Sequence, residues 1–278
     1  MAANLLAAGH ELSVYNRTPG KADALVDKGA WLAPTIADAC TGDVVVTMLA
    51  DDRAVEAVVH GAGGVLESLA AGALHISSST ISVALSNQLA ADHQAAGQRY
   101  LSAPVFGRPD AAAAGKLFVV AAGSARDMET AAPVFEAVGQ RTFNMGEKPA
   151  AANLAKLSGN FLIMSVIESL GEALALVDKG GIDRGQYLEM LTSTLFSAPI
   201  YKTYGSLIIE GKFQPPGFAA PLGKKDIGLV LEAAEALQVP LPVASLVRDR
   251  FLALLAQGGD DLDWSAIGGL AARDAGND

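Results

Sequence analysis

The 278-residue sequence predicts an α/β sheet domain of mostly parallel strands over residues 1–149, followed by an all-helical domain over 150–278. Three observations carry this expectation. Short apolar runs alternate with helix-patterned segments in the first half, as strands joined by crossover helices do. Strand patterns vanish after Ala150. Only long periodic segments follow, punctuated by glycine and proline.

In the first half, residues 1–8 read as helix stopped at Gly9, and Glu11–Tyr15 as a strand. Further strands are expected at Asp43–Leu49, Ala73–Ser78, Arg99–Val105, Leu117–Ala122 and Arg141–Met145. Helices at 19–28, 51–59, 82–96 and 126–138 separate most of them. Val44-Val45-Val46 is apolar throughout, as suits a strand covered on both faces. In the second half, helices are expected at 150–179, 184–195, 199–210, 221–237, 242–256 and 263–273. Asp183 and Asp263 stand where N-caps should, with carboxylates able to accept from the first free N–H groups.

Composition narrows the function. Hydrophobic content of 51% and a mean hydropathy of +0.31 argue for a packed core. A formal charge of −10 disfavours nucleic-acid or anionic-membrane partners, whose phosphates it would repel. Cys40 is the sole cysteine, which excludes an internal disulfide or a cysteine-rich metal site; it should pack as a small hydrophobe. His10, His60, His75 and His93 lack metal-ligand spacing, so no metal is expected. Glu168 and Glu172 interrupt the most apolar stretch, so no membrane span is expected. Neither is a signal peptide. The expected compartment is the cytoplasm.

Open parallel sheets of the Rossmann type bind ligands at the carboxyl ends of their strands. After Val14-Tyr15 come Asn16, Arg17 and Thr18. An acidic residue here would hold a ribose 2′-hydroxyl; Asn16 removes that charge, and Arg17 offers a fork matching a 2′-phosphate. This favours NADP over NAD, the alternative being an ordinary solvated loop. Ser77-Ser78-Ser79-Thr80 supplies hydroxyls that either reach a ribose or carboxamide or cap the helix starting near Ser82. A dinucleotide fold also needs a first strand and a glycine-rich turn for the pyrophosphate. No G-x-G-x-x-G precedes residue 11, and Gly61-Ala62-Gly63-Gly64 follows a helix. The expectation is that the natural start lies upstream of Met1.

At about 100° per residue, Asn153, Lys156 and Asn160 fall within roughly 60° of one another. The same face continues through Met164, Ile167 and Gly171, so it begins polar and ends apolar. A lysine one turn from an amide, entering a buried face, calls for an explanation. The plainest one is a surface lysine covering apolar area with its stem.

Several segments then match one family in order: Asn4-Leu5-Leu6, Gly9-His10, Asn16-Arg17-Thr18, Val46-Thr47-Met48-Leu49-Ala50-Asp51-Asp52, Ser79-Thr80-Ile81-Ser82, Ala103-Pro104-Val105 with Gly107, Lys156 with Asn160, Lys225-Asp226, and Asp263-Trp264-Ser265-Ala266. Together they resemble the β-hydroxyacid dehydrogenase family, which includes 3-hydroxyisobutyrate dehydrogenases and glyoxylate or tartronate semialdehyde reductases. The resemblance implies that Lys156 is the catalytic lysine and Asn160 its companion amide. It implies that Thr80, Met48 and Leu49 touch the cofactor, that Lys225 lies near the nicotinamide, and that Asn16, Arg17 and Thr18 lie near the adenosine phosphate. It also implies a helical domain that completes the site in a homodimer or higher homo-oligomer.

The chain departs from the family at its substrate loop, usually Asp-Ala-Pro-Val-Ser-Gly-Gly. Here it reads Ser102-Ala103-Pro104-Val105-Phe106-Gly107-Arg108. Phe106 cannot donate to a carboxylate, whereas Arg108 could restore anion binding from another angle. The expected function is NADP-dependent hydride transfer between nicotinamide and a small carbonyl or 3-hydroxy acid, with Lys156 moving the proton. Burial should bring its pKa toward working pH. Imine reduction on the same scaffold and a non-catalytic dinucleotide-binding role are the alternatives.

Overall fold

The structure, a computed structural model, describes residues 1–277. The chain divides into two compact units, Met1–Lys156 and Leu157–Asp278. The first contains α1 (Ala2–Ala7), β1 (Ser13–Val14), α2 (Asp23–Val26), β2 (Trp31–Leu32), α3 (Ile36–Ala39), β3 (Val44–Thr47), α4 (Asp52–Val59) and α5 (Val65–Ser68). It continues through β4 (Leu74–Ser77), α6 (Val83–Ala95), β5 (Arg99–Ser102), β6 (Val105–Phe106), α7 (Pro109–Ala113), β7 (Leu117–Ala121), α8 (Ala125–Val138) and β8 (Gly139–Asn144). The alternation of strands and helices expected from the sequence is observed, with β2, α3, α5 and α7 in addition.

β1 pairs with β2 in parallel, and β3, β4 and β5 form a second parallel sheet. A third sheet joins β6 antiparallel to β7, and β7 parallel to β8. Leu74, Ile76 and Leu101 are fully buried in a cluster with Val119, Phe135 and Val138. Val55, Val59, Leu85 and Leu89 pack in another. Each such side chain contributes about 1.5–3 kcal/mol through burial. Cys40 is buried in the second cluster, and burial raises its thiol pKa.

Several local expectations are corrected. The strand expected at Arg99–Val105 is two strands, because Pro104 has no N–H for a ladder and the chain turns there from parallel to antiparallel pairing. The helix expected at 19–28 shrinks to α2, the Thr18-Pro19-Gly20 segment being taken by bends and turns. β2 is unheralded in the sequence, since two exposed residues give no periodicity to read.

Two of the four histidines, His75 and His93, form a buried relay that the sequence did not announce. Thr47 Oγ1 lies 2.9 Å from His75 Nε2, His75 Nδ1 lies 2.9 Å from His93 Nε2, and His93 Nδ1 lies 2.7 Å from Gln98 Oε1. Gln98 Nε2 donates to the carbonyls of Leu66 and Leu69, so its Oε1 is the acceptor for His93 Nδ1–H. That order assigns every remaining proton: His75 donates to His93, and Thr47 donates to His75. Both imidazoles are neutral in this arrangement, and burial lowers both pKa values.

The connecting helix α9 spans Ala150–Lys179, followed by α10 (Arg184–Thr192), α11 (Pro199–Glu210), α12 (Ala220–Ala236), α13 (Pro242–Ala256), a 3₁₀ turn (Trp264–Gly269) and α14 (Leu270–Asp274). Asp183 caps α10 by accepting from Gln186 N–H. By length and a hydropathy of 1.6, α9 alone would suit a membrane span. Its polar residues Lys156, Asn160 and Glu168 are nonetheless buried within the protein, as in a core helix. At Gly171 a Cβ would collide with the Gly268 backbone, so glycine permits the close approach of the 3₁₀ turn.

Asp263, fully buried, ties the end of the chain to the segment before α12. Its Oδ2 accepts from the N–H groups of Gly217 and Phe218 at 2.9 and 3.0 Å. Its Oδ1 accepts from Ser265 N–H and Oγ–H at 3.0 and 2.6 Å. The Trp264 ring packs on Phe218 with centroids 4.6 Å apart. The expected N-cap at Asp263 is present, although the first turns it caps are 3₁₀ rather than α.

Candidate active site

The first turns of α9 gather the polar groups. Asn153 is fully buried, accepts from Ser102 Oγ at 2.5 Å and lies 3.5 Å from the Ser79 carbonyl. Ser79 Oγ in turn accepts from Leu49 N–H at 2.8 Å. These bonds hold the start of α9 against the chain just beyond β3, β4 and β5. Ser77 and Ser78 are buried, while Ser82 caps α6 by accepting from Leu85 N–H. Capping therefore falls to Ser82, and Thr80 is half-buried beside it.

Lys156 follows one turn after Asn153 and is only 8% exposed. Its Nζ lies 3.9 Å from the centroid of the Phe106 ring, close enough for a cation–π interaction. Phe106 ends β6, where it pairs with Phe118 of β7. Gly107 follows at φ +144°, and a Cβ there would meet Leu117 Cδ2 at 2.6 Å. Only glycine fits that turn. Arg108 is half-buried at the N-cap position of α7, ahead of Pro109.

One turn beyond Lys156, the buried Asn160 donates from Nδ2 to Asp226 Oδ2 at 2.6 Å. Lys225 Nζ lies 2.8 Å from the other Asp226 oxygen. Asp226 is fully buried, which makes it the centre of this cluster. Sequence reasoning named Lys225 and Asn160 and gave Asp226 no role. The adjacent Lys225-Asp226 pair is the only local signal for it, because its bond to Asn160 spans 66 residues.

The cofactor candidates lie near carboxyl ends of strands, Asn16, Arg17 and Thr18 beyond β1, Met48 and Leu49 beyond β3, and Thr80 beyond β4. Asn16 Nδ2 donates to the Thr18 carbonyl at 2.9 Å, which sets a turn displaying the exposed Arg17. Tyr15, two residues before Arg17, lines an open cavity of about 350 Å³ with Pro34, Thr35, Ile36, Ala37, Ala62 and Gly63.

Parallel strands ending in such a cavity, joined to a helix with a buried lysine and amide, are the construction of a nicotinamide-dependent oxidoreductase. Known proteins agree. Residues 1–146 match the NAD-binding domain of 6-phosphogluconate dehydrogenase, and residues 150–270 match the NAD-binding domain of NADP-dependent 3-hydroxyisobutyrate dehydrogenase. The chain is 45% identical to the uncharacterized oxidoreductase YfjR of Bacillus subtilis, over 96% of this chain and 93% of that protein. It is 31% identical to glyoxylate/succinic semialdehyde reductase 1 of Arabidopsis thaliana, over 96% and 92%. A 3-hydroxyisobutyrate dehydrogenase structure from Salmonella typhimurium superposes with a TM-score of 0.86 at 28% identity, covering 97% of this chain and 94% of that one. The chain belongs to the β-hydroxyacid dehydrogenase family.

Proposed function

We propose that this protein is an NADP-dependent reductase or dehydrogenase interconverting a small carbonyl compound and its hydroxy acid, with Lys156 as the proton donor and acceptor. The observation that carries this reading is the buried Lys156 ammonium over the Phe106 ring, one helical turn before Asn160. When bound, the nicotinamide supplies or accepts the hydride at the carbonyl carbon. Lys156 gives its proton to the carbonyl oxygen in reduction and takes it from the hydroxyl in oxidation. A cation–π contact, worth about 0.5–2 kcal/mol, holds the charged lysine aimed before substrate arrives. Asn160, its amide fixed by Asp226, orients the reacting oxygen without adding charge.

In this reading residues 1–149 bind the cofactor and 150–278 complete the substrate site in a homodimer. Asn16, Arg17 and Thr18 take the 2′-phosphate end, Met48, Leu49 and Thr80 line the cofactor, and Lys225 approaches the nicotinamide. Phe106, Gly107 and Arg108 face the substrate. Lys156→Ala should lower turnover by around 10²-fold or more with NADPH affinity retained; turnover like that of wild type would refute the assignment. Imine reduction is the second reading, favoured by Phe106 standing where the family has a hydroxyl. A panel pairing cyclic imines with hydroxy acids separates the two.

A further inference from the structure

The outer face of the β6–β7–β8 sheet carries an apolar pocket that the proton-transfer reading leaves unused. Strand alternation places Val105 and Val119 in the core and turns Phe106, Phe118, Val120 and Phe143 to the opposite face, where Phe106 pairs with Phe118 and Val120 with Phe143. With Met145 and Ala155 they line an open depression of about 420 Å³. No lining side chain bears a polar atom capable of strong hydrogen bonding. Phe118 and Met145 are 41% and 39% exposed, an unusual use of large apolar side chains on one patch.

Two cations border this surface. Lys156 Nζ lies over the Phe106 ring at 3.9 Å, and the Arg141 guanidinium lies 4.6 Å from the Phe143 centroid. Phe106 therefore belongs to both the proton-transfer lysine and the pocket. The shared Phe106 ring is what connects the pocket to the lysine. A carboxylate inside the pocket would lose its hydration without a partner, at a cost of several kcal/mol; near the bordering cations it is matched.

We propose that this pocket receives an aryl or branched-alkyl substituent of an anionic hydroxy-acid substrate, whose carboxylate stays toward the bordering cations. The inference rests on Lys156 as the proton-transfer group. It sets the substrate class apart from the smallest hydroxy acids, which leave the cavity empty.

The test compares 3-hydroxypropanoate with 3-hydroxy-3-phenylpropanoate, using NADP⁺ and three proteins: wild type, Phe118→Glu and Met145→Glu. Both substitutions are at exposed positions and should leave folding intact, which a thermal melt verifies. The wild type should favour the phenyl compound in kcat/KM by at least about tenfold, the equivalent of 1.4 kcal/mol, and each variant should erase that preference. Fluorine NMR with 4-fluorobenzyl alcohol, recorded without cofactor, reads the pocket independently of turnover: its line should broaden with wild type and stay sharp with both variants. Broadening that persists in the variants, or its absence in wild type, overturns the proposal even where turnover is high. Turnover of neither acid with normal broadening would instead count against Lys156 chemistry and leave the pocket supported. Unchanged probe binding with a dimer converted to monomer by Phe118→Glu would assign the face to a second copy of the chain and overturn the proposal.

Discussion

Asn160 and Asp226 share a 2.6 Å hydrogen bond in which the amide is the donor. Because Lys225 occupies the other carboxylate oxygen, Asp226 fixes which way the Asn160 amide faces. Removing a buried carboxylate takes one charge-assisted bond from each of these partners. Asp226→Ala should therefore cost about 3–5 kcal/mol, read from the urea midpoint. A loss below about 1 kcal/mol, the range of an exposed pair, would show that the carboxylate is not the anchor.

Arg17 tests cofactor choice. A charge-assisted bond is worth about 1.5–3 kcal/mol, so Arg17→Ala should raise KM for NADPH by about tenfold or more. KM for NADH should change far less. Equal effects on both cofactors would remove the guanidinium from 2′-phosphate recognition.

The histidine relay should make the fold acid-sensitive. Burial holds the pKa of His75 well below 6.5, with His93 also lowered. The folded state thus binds protons more weakly than the unfolded state, and the relay's contribution is complete above about 6.5 and lost as pH falls. His93→Leu leaves donors and acceptors stranded on His75 and Gln98 and should destabilise by roughly 2–4 kcal/mol. It should also flatten the melting temperature between pH 8 and 5.

Glu168 should act in the opposite direction. Burial raises its pKa from 4.5 to about 7, against the opposing pull of Arg250, whose Nε lies 2.7 Å away. The folded state binds this proton more tightly, so stability is greatest below 4.5 and declines as pH rises toward 7. Glu168→Gln should remove that decline, visible as a melting temperature that gains on wild type between pH 5 and 8. Parallel pH profiles for the two proteins would exclude it.

Gly107 carries a purely steric prediction. Gly107→Ala combines a left-handed backbone with a contact of 2.6 Å to Leu117, and should cost about 1–3 kcal/mol. Leu117→Ala in the same chain should recover the steric part and leave the backbone part. Chemical denaturation of the single and double variants measures both.

The long segments were legible because they carry period. The bounds expected for α9 match those observed, since thirty residues of helical pattern leave little ambiguity; the strand at Val44–Thr47 is present too, although Val44, Val45 and Val46 are half-buried rather than covered on both faces. Trp31–Leu32 was invisible because pairing with β1, not its own sequence, makes it a strand. Lys156 and Asn160 could be found from spacing along one helix. Asp226, Phe118 and Phe143 join their partners only through tertiary contact, and no local pattern encodes that. Phe106 departs from the family pattern within its own loop, yet its contact with Lys156 comes only with the sheet geometry.

Asp263 has a consequence for how the chain matures. It leaves the ribosome after α12 and α13, yet it satisfies the Gly217 and Phe218 N–H groups that precede α12. Until Asp263 is made, the Gly217 and Phe218 N–H groups lack this carboxylate, and Phe218 lacks the Trp264 indole that follows it. Nascent chains stopped short of this residue should be cut by protease at 213–219, whereas complete chains should resist. Translation through one late aspartate thus separates a client of chaperones from a folded helical unit.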